Sequence, residues 1–158
     1  MNARMPDLKR CFEAAGFSEV RTILSSGNVA FNARAASLDA LARRAQDAMA
    51  RELERGFGTF VRPAGHLQAL LASDPFRGFD MPAKAKLVVT FLRRAPDQAL
   101  GLPIERGGAS ILAVRAAEAF ACYVRGEKGP VFMRLLEQTF GSDITTRTID
   151  TVRKCAVA

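Results

Sequence analysis

Apolar positions recur at helical spacing in three stretches of this chain and alternate or run together in several others, and that pattern lays out the fold. Leu8, Cys11, Phe12 and Ala15 share one face of a predicted first helix over Pro6 to Ala15, with Pro6 suited to the opening turn and Gly16 to a left-handed stop. Phe17 can then fold back on the last turn. Val20, Thr22 and Leu24, followed by Val29 and Phe31, alternate on either side of Gly27-Asn28, which predicts a hairpin closed by a two-residue turn. Ser37 caps a long helix whose Leu38, Leu41, Ala45, Ala48, Met49 and Leu53 form a core stripe, ended by Gly56. Phe57 to Arg62 reads as a further strand.

A short helix around Gly65 to Ser73 precedes Asp74-Pro75, Gly78 and Pro82, which mark a connecting segment. Lys86 to Arg93 is apolar on both faces, as a central strand covered by other elements would be. A short helix near Pro96 to Leu100 and strands Ser110 to Arg115 and Glu118 to Val124 follow. Gly129-Pro130 opens a helix with Val131, Phe132, Leu135, Leu136 and Phe140 inward, closed by Gly141. Ile144 to Arg147 is a last strand, and Thr148 caps a final helix to Ala156 with Asp150 in its first turn. The expected fold class is α+β: two ferredoxin-like βαββαβ lobes with mainly antiparallel sheets, residues 1–75 and 86–158, joined by 76–85, the first lobe lacking its opening strand and the second carrying the C-terminal helix.

Composition narrows the setting more than the function. Of 158 residues, 49% are hydrophobic and 25% charged, which permits a sizeable core and excludes intrinsic disorder. No apolar run approaches the roughly 18 residues of a membrane span, and the first residues lack a signal-peptide core, so the expected location is the cytoplasm. The three cysteines, Cys11, Cys122 and Cys155, are far apart and read as reduced core thiols. With His66 the only histidine, no zinc ligand set is expected, and no cofactor. The net charge of +7 comes mainly from arginine and favours anionic partners. A GC-rich genome also produces high Arg with high Ala, and the basic residues here are interleaved with acids.

The residue pieces Met5-Pro6-Asp7-Leu8 to Ala15-Gly16-Phe17, Val20-Arg21-Thr22 to Ser26-Gly27-Asn28-Val29-Ala30-Phe31, and Thr145-Thr146-Arg147-Thr148 to Thr151-Val152 resemble the DUF1697 family of bacterial proteins without an assigned function. The resemblance runs over nearly the whole chain and is most specific at Ser-Gly-Asn. It implies two ferredoxin-like lobes and no substrate, cofactor or catalytic residue. Members of that family usually begin with a strand and an Arg-Gly-Ile-Asn-type turn, whereas this chain starts at or just before the first helix. An upstream start site, or a strand from a neighbouring chain, is expected to supply the missing pairing. Thr148-Ile149 also stands where the family tends to have Asn and an aromatic.

Two groups of residues could take an anion. Ser25, Ser26 and the amides of Gly27-Asn28 could form a concave nest, with Arg21 completing it; the turn's own dihedrals account for the same residues. Thr146, Arg147 and Thr148 precede a helix N-terminus, where free amides and a forked guanidinium suit phosphate or carboxylate; ordinary capping accounts for Thr148. If the two turns met, Arg21 and Arg147 would share a pocket between lobes.

Arg55-Gly56-Phe57-Gly58-Thr59-Phe60-Val61-Arg62 nearly spells an RNA-recognition strand, but Phe57 and Phe60 are three apart and so fall on opposite faces. Phosphate-loop, dinucleotide, hydrolase-elbow and zinc-protease signatures are missing. His66 has no recognisable catalytic partner in the sequence, and Glu52 and Glu54 point to different helix faces. The favoured reading is a binding protein for a small anionic ligand. Non-specific nucleic-acid binding through diffuse positive charge and an enzyme with a site between the lobes are the alternatives, and a homodimer is a further arrangement to test.

Overall fold

The computed structural model describes residues 3–25, 27–54, 57–124 and 131–158. Twelve elements follow in order: α1 (Met5–Ala14), β1 (Ser18–Ile23), β2 (Asn28–Asn32), α2 (Leu38–Leu53), α3 (Ala64–Ala72), β3 (Lys86–Leu92), β4 (Ile104–Arg106), β5 (Ala109–Arg115), β6 (Glu118–Tyr123), α4 (Val131–Phe140), β7 (Ile144–Thr148) and α5 (Ile149–Ala156). The fold is α+β, with one two-stranded and one five-stranded antiparallel sheet. Main-chain contacts divide the chain into Met1–Ala69 with Arg153–Ala158, and Leu70–Val152.

In the first unit, Leu8, Cys11, Phe12, Phe17, Val20, Leu41, Ala45 and Met49 form the core. The periodicity of α1 and α2 buries these faces. At the end of α1 the amide of Gly16 donates to the oxygen of Glu13 and that of Phe17 to Phe12, a Schellman closure. Gly16 has φ +93°, which a side chain would resist. The closure turns Phe17 back so that its ring lies 5.6 Å from Phe12 and 4.3 Å from Phe31, as the sequence pattern anticipates. Ser37 caps α2 by accepting from the amide of Ala40.

The hairpin is closed by a four-residue loop, not a two-residue turn: Ile23 pairs with Asn28, and residues 24–27 connect them. Helix α2 ends with Glu54 left-handed at φ 55°, ahead of the expected stop at Gly56, which lies outside the described residues. Phe57 to Arg62 is not a strand. Phe57 and Val61 pack on the core, and their oxygens accept from the side chains of Thr59 and Arg62.

In the second unit the strand order is β4-β5-β6-β3-β7. The central β3 is buried from Val88 through Leu92, in line with the apolar residues on both of its faces. One face of the sheet packs Ala109, Ile111 and Ala121 against Leu135 and Leu136 of α4. On the other, Phe76 meets Phe120 edge to face at 5.8 Å. The helix expected near Pro96 to Leu100 is absent, and this stretch leads instead to the unanticipated edge strand β4. The expected helix opening at Gly129-Pro130 lies outside the described residues; α4 itself runs to Phe140 and closes at Gly141 with φ +86°. Strand β7 passes straight into α5; within the first unit, which takes in Arg153–Ala158, the oxygen of Ala156 accepts from Gln68 Nε2 at 2.9 Å.

Candidate functional site

The hairpin group belongs to the first unit. Register places Arg21 opposite Ala30 and Ile23 opposite Asn28, so these four share the face turned away from Val29 and Phe31, which pack on the core. Asn28 is buried, and its Nδ2 donates to the oxygen of Ile23 at 3.1 Å, tying the base of the loop. Gly27 has φ +90° and Leu24 φ +61°, with Leu24 exposed at the loop. Ser25 is exposed, and Ser26 lies outside the described residues.

Arg21 has a local assignment. The ladder shifts register between Ser18 and Arg21, where Glu19 takes φ +49°. Arg21 Nη1 donates to the oxygen of Glu19 at 2.8 Å, and Asn32 Nδ2 donates to Glu19 Oε2 at 2.7 Å from the opposite strand. Arg21 and Asn32 thus fasten a bulge, a device that bends a strand and interrupts its edge. Of the expected anion nest, the structure gives Asn28 and Arg21 bonds that serve the hairpin itself.

The second group, Thr146, Arg147 and Thr148, lies in the second unit and is divided by strand geometry. On β7, Arg147 is opposite Val89 and Thr145 opposite Phe91, whereas Thr146 is opposite Thr90 and Thr148 opposite Val88. Arg147 therefore shares a face with Thr145, not with its immediate neighbours. Its Nη1 donates to Thr145 Oγ1 at 3.0 Å and to the oxygen of Thr146 at 2.7 Å. Thr146 Oγ1 sits 4.0 Å from Met133 Sδ on the α4 side. Thr148 Oγ1 receives the amide of Thr151 at 3.4 Å and lies 3.1 Å from Thr151 Oγ1, the geometry of an N-cap. Thr145 was missed by a reading of consecutive residues; the two-residue period of a strand is the signal that finds it.

Asp150 stands in the first turn of α5 and Arg153 and Lys154 in its last, each complementing the helix dipole. Asp150 places negative charge beside the amides an anion would use, so Arg147 would have to supply most of any attraction. Cys11 and Cys122 are not poised as nucleophiles. Burial pushes the Cys11 thiol above its ordinary range, helped by Glu52 and opposed by Arg10. Burial does the same to Cys122, with Glu105 adding to the rise and a hydrogen bond from Ser110 opposing it. Both stay protonated near neutrality, unlike a reactive thiolate. Among the described residues, no group of three His, Cys, Asp or Glu is arranged to hold a metal ion. No helix among them is long and apolar enough to cross a membrane. Phe57, half-buried against the core of the first unit, does not form part of a base-stacking strand.

Neither a curated protein nor a solved structure matches the chain. A family model described as a protein of unknown function, DUF1697, matches residues 1–118. That span takes in the hairpin and ends at the first residue of β6, so the resemblance noted at Thr145 to Val152 lies beyond it. Extending over most of the sequence, the match shows that the chain belongs to the DUF1697 family.

Proposed function

We propose that this protein binds a small anionic ligand at the junction of β7 and α5. The observation that carries the reading is the posture of Arg147, whose Nη1 is held by Thr145 Oγ1 and the Thr146 oxygen one residue before the helix cap. A guanidinium fixed in this way gives up less side-chain freedom when it meets a carboxylate or phosphate. The neighbouring helix start adds oriented amides. The hairpin is the weaker choice, because Asn28 is engaged in closing the loop and no helix start adjoins Arg21. A ferredoxin-like plan for the second lobe is supported by the order β7-β3-β6-β5, with β4 and the irregular residues 93–103 standing where the first crossover helix would be. The same plan for the first lobe rests on the order of α1, β1, β2 and α2. A cytoplasmic setting fits the three free cysteines.

The test is a thermal-shift screen with inorganic phosphate, nucleotides and small phosphorylated or carboxylated metabolites. At a hundredfold excess over Kd, a ligand specific to the native state adds about 2.7 kcal/mol of stability. At least one compound is expected to raise Tm, and Arg147→Ala should abolish that rise while Arg21→Ala leaves it intact. A screen in which no anion stabilises the protein, or a rise that survives Arg147→Ala, overturns the proposal.

A further inference from the structure

We draw no further inference here: the strongest candidate, the outer edge of β2 in the two-stranded sheet of the first unit, carries nothing because nothing in the structure shows what strand would cover it.

Discussion

Arg44 donates from both Nε and Nη2 to the main-chain oxygen of Ala15, at 3.0 and 2.8 Å, and its guanidinium carbon lies 4.4 Å from the centre of the Phe17 ring. The C-cap oxygen of α1 has no partner within the helix, and the Schellman closure uses the oxygens of Phe12 and Glu13, leaving that of Ala15 for a side chain. Arg44 is the side chain that takes it. Arg21 and Arg62 likewise donate to the main-chain oxygens of Glu19 and Val61. Part of the arginine content thereby serves main-chain carbonyls at a helix end, a bulge and an irregular segment, a structural use of positive charge.

Arg44→Ala should therefore cost about 1–2 kcal/mol, combining the lost charged hydrogen bonds with an exposed cation–π contact. Arg44→Lys keeps the charge but not the planar fork, and should lose about 1 kcal/mol of the same stability. Urea unfolding of the two variants checks this. A lysine variant as stable as the parent would show that charge, and not the paired donors, is what matters at this cap.

Asn28 provides a parallel case in the hairpin. Its Nδ2 bonds the oxygen of Ile23 from a buried position, so Asn28→Ala should destabilise by about 1 kcal/mol. Asn28→Asp replaces that donor with a carboxylate facing a carbonyl, and should cost about 2 kcal/mol. Both losses should appear in chemical denaturation without any added ligand. If Asn28→Asp unfolds at the same urea concentration as the parent, the side chain is not what closes the loop.

What could be read from the sequence depended on how local the determining force is. The amphipathic stripes of α1 and α2 and the apolar residues on both faces of β3 were legible, because burial imposes a pattern on the residues themselves. The loop of the hairpin was not. Gly27-Asn28 has the composition of a two-residue turn, yet Asn28 joins β2 and Leu24 adopts a left-handed backbone that its residue type does not advertise. Phe57 to Arg62 has strand-like composition yet forms no strand, and side chains of Thr59 and Arg62 serve two of its carbonyls. At the candidate site, Arg147 and Thr148 were legible as a basic residue before a helix cap. The pairing of Arg147 with Thr145 became visible only once the strand's alternation extended through Thr148.

Thr90 offers a test of the second core. It is fully buried in β3, between Thr146 of β7 and Ala119 of β6, and its Oγ1 has no hydrogen-bond partner among the described residues. Burying a hydroxyl without a partner is unfavourable, and valine replaces it with a methyl group of similar shape. Thr90→Val should raise stability by about 1 kcal/mol, read as a higher Tm and urea midpoint. Destabilisation by a similar amount would mean that the hydroxyl has an internal water as its partner.

The two buried thiols link stability to pH at the alkaline end. Burial raises the folded-state pKa of Cys11 and Cys122 above the ordinary value of 9.0, so each thiol ionises more readily in the unfolded chain. Between the unfolded and folded pKa values the native state holds more protons, and stability must fall as pH rises. The contribution is fully present below the unfolded value and is lost as pH climbs through the raised folded one, by up to tenfold per pH unit in the folding constant for each thiol. Urea midpoints at pH 7.5, 9 and 10 should therefore decline more steeply for the parent than for Cys11→Ala or Cys122→Ala, whose lower starting stability does not affect the comparison of slopes. In parallel, a thiol-specific disulfide reagent at pH 8 should react with Cys11 and Cys122 far more slowly in the native protein than in urea. Equal alkaline slopes for the parent and both variants would contradict the linkage, and rapid native labelling of both residues would contradict their burial.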